Sequence, residues 1–219
     1  MSDEHAEQLI GAKLRRIKKL ELQEAHFAGL TPPHIAIELD DLRAEIANLQ
    51  HQRTQLIFQA NGLKLDPPAL AQGLILLVSQ LRTGEPLSAH SAYQAIDYHR
   101  GTLRRCWLIA TADSFATAEA LAQHFGAYRL ESSIHTVANG GDVADTLAVV
   151  TSIYAQLEQE GTFSTANVIA DITGGTKPMT AGMVLACGIA RPMQYMLFPK
   201  KGLPSLPVLL HTHVGEQPA

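Results

Sequence analysis

The fold is decided by residues 167–188, which read NVIADITGGTKPMTAGMVLACG. The stretch opens with an apolar run, as expected of a strand that is covered on both faces of a sheet. The adjacent glycines Gly174 and Gly175 then turn the chain, and small apolar residues continue at helical spacing. A strand, a glycine turn and a helix in direct succession predict a βα unit of a parallel sheet.

The rest of the C-terminal half repeats this alternation. Apolar or β-branched runs predict strands at residues 106–110, 133–137, 167–171, 194–198 and 207–213. Helical spacing predicts intervening helices at residues 115–125, 143–157 and 179–190. We therefore predict an α/β fold, with a Rossmann-like doubly wound, mostly parallel sheet over residues 101–219.

The first 60 residues have a different pattern, in which apolar side chains recur every three or four positions. The two runs are Ile10, Leu14, Ile17 and Leu20, then Ile35, Leu39, Leu42, Ile46 and Leu49. They predict an N-terminal α-helical hairpin over residues 1–60. Such a hairpin buries little surface alone, so it either mediates oligomerisation or partner binding, or packs on its own C-terminal domain. Residues 61–100 are expected to form a helical connector, with helices at 69–81 and 88–99.

The composition narrows the class of protein. The chain has 219 residues and a formal net charge of -4, so no DNA-binding surface is expected. Its two cysteines, Cys106 and Cys187, lie in apolar runs without metal-type spacing, and we expect no metal and no cofactor. No secretory signal and no apolar run of about 20 residues is visible, so a cytoplasmic protein without membrane contact is expected.

The stretch from Asp171 to Met179 carries most of the chemical information. Glycines let a backbone approach a ligand closely, and the amides that begin the following helix favour an anion. The hydroxyls of Thr173 and Thr176 and the charge of Lys177 suit phosphate. Asp171, at the end of a buried strand, is expected to orient the loop by accepting backbone amides. The Walker pattern and the G-x-G-x-x-G fingerprint are both absent from this loop.

A second strand end has polar residues of a similar kind. Thr111-Ala112-Asp113-Ser114 follows the strand at 106–110 and precedes a helix. Hydroxyls and amides at a helix N-terminus favour an anion, although a serine or aspartate there also serves as an ordinary helix cap. Because ligands of such sheets bind beyond the carboxyl ends of the strands, both loops are predicted to line one site.

These two loops resemble those of CARF domains, the CRISPR-associated Rossmann-fold sensors of type III systems. Residues 171–179 resemble the signature loop of that family, and residues 108–114 resemble its other ligand loop, at the end of the first strand. The order of the intervening elements is also similar, and the resemblance covers residues 103–213.

The resemblance implies a homodimer that binds a cyclic oligoadenylate, most often the four-membered ring, across its two-fold axis. It implies that Gly174, Gly175, Thr176 and Lys177 of each subunit hold phosphate and ribose, and that Thr111, Asp113 and Ser114 line the rim. Ala112, Thr173 and Met179 belong to the same loops and complete the predicted ligand-binding set.

Three functions stay open at this point. The first is a sensor in antiviral defence that signals through its N-terminal helices to a partner effector or to a higher-order assembly. The second is a metal-independent ring nuclease, in which Lys177 and Ser114 would stabilise the charge that develops as a ribose hydroxyl attacks phosphate. The third is an ordinary nucleotide or sugar-phosphate binder, since one fold supports many functions. The two loops contain no strong general base, so cleavage would be slow, which favours a binding role.

Overall fold

The computed structural model describes residues 3–27, 32–60, 71–161, 163–198 and 205–210. The chain divides into two compact units, one formed by Met1–Leu70 with Arg100–Thr102 and the other by Ala71–His99 with Leu103–Ala219. The strand predicted at 207–213 is described only as far as Leu210, and residues 211–213 lie outside the described residues.

The first unit contains the two predicted helices, α1 (Asp3–His26) and α2 (Pro33–Ala60). Its buried core consists of Ile10, Ile17, Leu20, Ile35, Leu39 and Ile46. Cations of α1 pair with acids of α2: Lys13 with Glu45, and Arg16 with Glu38 at 2.7 Å. The basic side of α1 is therefore partly neutralised by its neighbour. Neither α1, α2 nor any other described helix has the length and apolarity needed to cross a membrane.

The second unit is built on a six-stranded sheet in the order β3-β2-β1-β4-β5-β6. Its strands are β1 (Gly73–Leu77), β2 (Arg105–Ala110), β3 (Glu131–Thr136), β4 (Val168–Asp171), β5 (Met193–Leu197) and β6 (Leu206–Leu210). The first five run parallel, and β6 pairs antiparallel with β5 at one edge. The predicted mostly parallel α/β sheet is confirmed.

Helices cover both faces of this sheet. The helices are α3 (Ser91–His99), α4 (Phe115–Gly126), α5 (Val143–Glu160) and α6 (Lys177–Cys187). Helices α3 and α4 contribute to one apolar core, with Ile96 and Phe125 among its buried members. Helices α5 and α6 contribute to the other, with Tyr154 and Met183. This arrangement is the predicted double winding, and both cysteines are buried in these cores.

The prediction for residues 69–81 is wrong, since a strand and not a helix occupies this stretch. Every residue of β1 is buried, and β1 lies between β2 and β4 in the middle of the sheet. A strand covered on both faces is apolar at every position, so it also fits the three- and four-residue spacing of a helix. Residues 71–99 accordingly belong to the sheet unit, and the connector expected at 61–100 does not describe them. The helix predicted at 88–99 is present as α3, after a 3-10 turn at Leu87–Ala89.

Candidate functional site at the carboxyl edge of the sheet

The order of the strands places a switch point between β1 and β4. From β1 the chain proceeds to β2 and β3 on one side, and it then returns to β4 and β5 on the other side. The loops that follow β1 and β4 therefore diverge from the same point at the carboxyl edge. Open α/β sheets bind ligands in the crevice that this divergence leaves.

The glycine loop, residues 172–176, lies at this switch point. Gly174 is buried against β1, and a Cβ built on it would overlap the carbonyl oxygen of Leu77. Gly175 has a φ of +74°, a left-handed conformation that side chains disfavour. Thr176 caps α6, because its side chain accepts a hydrogen bond from Met179 N at 3.4 Å. Both glycines are thus required by the path of the backbone.

The loop after β2 is a compact helix cap. Thr111 N donates to Ser114 Oγ at 3.0 Å, and the two hydroxyl oxygens lie 3.3 Å apart. The resulting capping box encloses a 3-10 turn at Ala112–Ser114, and α4 follows directly. The sequence predicts this loop at the end of the first strand of the domain, and that prediction is wrong. The loop follows the second strand, β2, and the loop at the end of the first strand is the one after β1.

A third loop, residues 137–142 after β3, reaches the same place. The Thr176 hydroxyl donates to the carbonyl oxygen of Gly140. A Cβ built on Gly140 would lie 2.8 Å from Thr111 Cγ2 and 3.6 Å from Thr176 Cγ2. The two predicted loops are therefore brought together, and Gly140 lies between them. The Asn139-Gly140-Gly141-Asp142 run is a turn signal in the sequence and could have indicated this loop.

The loop after β1 is the other component that the sequence interpretation missed. Ser79 N lies 3.5 Å from the position that a Cβ on Gly174 would take. The Ser79 hydroxyl and carbonyl oxygens each lie 3.0 Å from His90 Nε2. His90 Nδ1 accepts from Ala92 N at 3.2 Å, so Nε2 is the nitrogen that donates to Ser79. Burial lowers the pKa of His90, which favours this neutral ring.

The predicted site residues differ in exposure. Gly175, Thr176, Lys177, Ala112 and Asp113 are exposed, and Thr111 and Thr173 are half-buried. Ser114, Gly174 and Met179 are buried, so they support the loops from beneath. Within the described residues, the backbone amides of Gly174, Gly175 and Thr176 have no hydrogen-bond partner. The exposed residues and these amides are the groups that can meet a ligand.

Asp171 ends β4 beneath the glycine loop and is buried. Its Oδ1 accepts from Thr173 N at 2.9 Å, and its Oδ2 accepts from Gln194 Nε2 at 2.9 Å. Thr173 Oγ1 in turn accepts from Met196 N at 2.7 Å. Burial raises the pKa of the Asp171 carboxyl, while the hydrogen bonds from Thr173 and Gln194 oppose that rise. Asp171 therefore accepts an amide of the glycine loop from beneath it.

The second unit is thus a Rossmann-like α/β domain with an exposed glycine turn and a lysine at its switch point. Among the described residues, no group of three histidine, cysteine or carboxylate side chains could hold a metal ion. No protein-family model and no curated protein matches the chain.

Three solved structures are similar in fold. Can2 from Sulfobacillus thermosulfidooxidans in complex with cyclic tetra-adenylate has a TM-score of 0.43 and 20% identity, over 57% of this chain and 32% of that chain. Protein VC1899 from Vibrio cholerae has a TM-score of 0.46 and 10% identity, over 61% and 34%. A type III CRISPR defence DNA nuclease activated by cyclic oligoadenylate has a TM-score of 0.43 and 16% identity, over 89% and 32%. The match therefore spans about a third of each of these longer proteins, and the function is argued below from the residues of the chain itself.

Proposed function

We propose that the chain is a CARF-type sensor that binds a cyclic oligoadenylate, with cyclic tetra-adenylate the first ligand to test. One observation carries this proposal. Three loops converge around Thr176 at the switch point, where unpaired amides and Lys177 begin an 11-residue helix. Amides at the start of a helix and a nearby ammonium group together favour phosphate oxygens.

The exposed groups suit different parts of such a ligand. Lys177 and the amides of Gly175 and Thr176 can donate to phosphate. The Asp113 carboxylate is an acceptor only, so it suits a ribose hydroxyl or the exocyclic amine of adenine and not a phosphate. A site that combines donors and an acceptor in this way is suited to a nucleotide.

A homodimer follows from the symmetry of the ligand. A cyclic tetra-adenylate has a two-fold axis, and two copies of the chain can present identical loops to its two halves. Each subunit would then supply one Lys177, so that two ammonium groups meet four phosphates. No cofactor is required for this binding.

The α1–α2 hairpin is the proposed output element. Ligand binding in the dimer would change how these helices assemble, with a partner effector or with further copies of the chain, in antiviral defence. Exposed apolar side chains on the hairpin, such as Leu22 and Ile37, are available for such contacts within the described residues.

The burial and hydrogen bonding of Ser114 favour binding without cleavage over ring-nuclease activity. This side chain is 2% exposed and its hydroxyl is engaged with Thr111. It therefore closes the capping box of the 3-10 turn that precedes α4 and is not poised beside a scissile phosphate. Lys177 alone would stabilise developing charge without an aligned partner.

The test is to incubate the full-length protein with cyclic tri-, tetra- and hexa-adenylate and to separate the nucleotides before and after heat release. We expect the tetra-adenylate ring to be retained and recovered intact. Lys177→Ala should weaken binding by about tenfold or more, because a hydrogen bond to a charged group contributes about 1.5–3 kcal/mol. Lys19→Ala, which removes an exposed lysine of α1, is the matched control and should bind as the wild type does.

The other outcomes are distinct. Linear products that disappear in Lys177→Ala would replace the sensor with a ring nuclease. Absence of both retention and products for every ring would overturn the proposal. The mass of the full-length protein in solution, measured with and without the retained ring, tests whether the ligand alters assembly.

A further inference from the structure

A chain of buried hydrogen bonds joins α3 to the glycine loop across the sheet unit. Ala71 N donates to His99 Nδ1 at 3.0 Å, and His99 Nε2 lies 2.8 Å from Gln194 Oε1. Gln194 Nε2 donates to Asp171 Oδ2 at 2.9 Å, and Asp171 Oδ1 accepts from Thr173 N at 2.9 Å. His99 and Gln194 are 0% exposed and Asp171 is 2% exposed. These residues are far apart in the sequence, yet each is hydrogen-bonded to the next.

The direction of every bond follows from its first donor. A backbone amide can only donate, so Ala71 makes His99 Nδ1 an acceptor and leaves the proton of the neutral ring on Nε2. His99 Nε2 then donates to Gln194, which must present its oxygen to the ring and its nitrogen to Asp171. Asp171 consequently accepts from Gln194 with one carboxylate oxygen and from the Thr173 amide with the other.

The reverse arrangement fails at the histidine. If the Gln194 amide turned over, its nitrogen would face His99 Nε2, which would then have to accept. A neutral imidazole has one acceptor nitrogen, and Ala71 already occupies it. Turning the amide over would therefore leave a buried donor without a partner, at a cost that such sites avoid.

We propose that His99 and Gln194 are positioning residues for the glycine loop: they fix the Asp171 carboxylate as an acceptor, and Asp171 holds Thr173 so that the following amides face the ligand. The inference deepens the proposed function, because the loop that it positions is the proposed phosphate site. Burial lowers the pKa of His99 to about 4, which keeps the ring neutral at physiological pH, as this arrangement requires.

This chain of hydrogen bonds, called the relay below, can be tested without ligand. In the wild-type protein, nitrogen chemical shifts should place the His99 proton on Nε2 at neutral pH. Gln194→Met keeps a similar volume but removes both amide contacts, and it should accelerate hydrogen exchange of the Thr173 amide by about tenfold or more. Tyr154→Phe is the matched control. It removes a buried hydroxyl of α5 that lies 3.7 Å from Cys187 Sγ and takes no part in this chain of hydrogen bonds. That control should leave exchange at Thr173 within about twofold of wild type at equal global stability.

A second variant addresses the direction of the chain. In Asp171→Asn the new side-chain amide can donate to Gln194. We expect the Gln194 amide to turn over, so that its oxygen accepts this hydrogen bond. Its nitrogen would face His99, and the ring should lose its Nε2–H tautomer or its bond to Ala71. A change of the His99 nitrogen shifts in Asp171→Asn therefore supports the relay, although His99 and Asp171 are not themselves hydrogen-bonded.

Two results would overturn the inference. One is a wild-type His99 that is protonated on Nδ1 or charged at neutral pH. The other is Thr173 exchange that is the same in Gln194→Met as in Tyr154→Phe. Neither depends on a nucleotide, so they are distinguishable from failure of the proposed function. If the wild type does bind cyclic tetra-adenylate, Gln194→Met should raise the Kd by about tenfold, while Tyr154→Phe should leave it unchanged.

Discussion

The helical hairpin and the carboxyl edge of the sheet are stabilised in opposite ways. The hairpin is held by an apolar seam that includes Ile17 and Ile46, and its ion pairs, such as Arg16 with Glu38, are exposed. At the carboxyl edge, buried polar groups such as Asp171 and Gln194 are satisfied by one another. Exposed ion pairs contribute little to stability, whereas buried polar groups are costly once a partner is lost.

This difference concerns specificity as much as stability. An apolar seam tolerates substitutions of similar volume, because dispersion and burial have no direction. A buried hydrogen-bonded chain has a direction, and each member must be a donor or an acceptor at a defined atom. We therefore expect volume to dominate mutational effects in the hairpin, and hydrogen-bond type and backbone geometry to dominate them at the carboxyl edge.

The largest expected effect is that of Ile46→Ala in the hairpin. Ile46 is 0% exposed in the seam, and truncating a buried isoleucine costs about 2–5 kcal/mol. Urea unfolding followed by helical circular dichroism should show this loss in the transition of the helical unit. Ile37→Ala on the same helix is the matched control, because Ile37 is 61% exposed and should change stability by less than about 0.5 kcal/mol. Equal effects of the two variants would contradict an apolar seam.

The next effect is a loss of stability on acidification. The pKa of His99 falls from 6.5 to about 4 on burial, so the unfolded chain binds a proton at a higher pH than the folded protein. The contribution of His99 is thus fully present above about pH 6.5 and is lost as the pH falls towards 4, by about 3 kcal/mol in total. The lowered pKa values of His90 and His135 act in the same direction, and the raised pKa of Asp171 acts in the opposite one.

A variant isolates the histidine from these other groups. His99→Gln can still accept from Ala71 and donate to Gln194, but it does not titrate. The free energy of unfolding, measured by urea between pH 7.5 and 4.5, should depend less steeply on pH in His99→Gln than in the wild type. Parallel pH profiles for the two proteins would show that His99 is not neutral and buried in solution.

Much of the fold could be predicted from periodicity. The seam of the hairpin and the alternation of strand and helix after residue 105 are both patterns of local spacing. The central strand β1 could not be separated from a helix in this way, because five successive buried residues fit both periods. Because β1 was predicted as a helix, the switch point could not be located from the sequence. The order of the strands cannot be deduced when its central strand is missing.

The site could be predicted only in part, for a related reason. Gly174, Thr176 and Lys177 form one contiguous motif, so their chemistry is visible in the sequence. Gly140 and the Gln194–His99 pair contribute through contacts between residues far apart in the chain. Ser114 shows the limit of motif reasoning, because a hydroxyl at a strand end can be a cap or a ligand group, and burial assigns it to the cap.

The smallest of the three effects separates backbone geometry from side-chain chemistry at the carboxyl edge. In Gly174→Ala the new methyl group would overlap the carbonyl oxygen of Leu77 in β1, and neither backbone segment can yield without disturbing the sheet. We expect a loss of about 1–3 kcal/mol, which is typical of an overpacked site. Gly126→Ala is the matched control, since a Cβ there meets nothing within 4 Å and alanine is favoured in a helix by up to about 1 kcal/mol. Thermal unfolding of both variants measures the difference, and an unchanged melting temperature in Gly174→Ala would mean that the glycine loop does not rest on β1 as described.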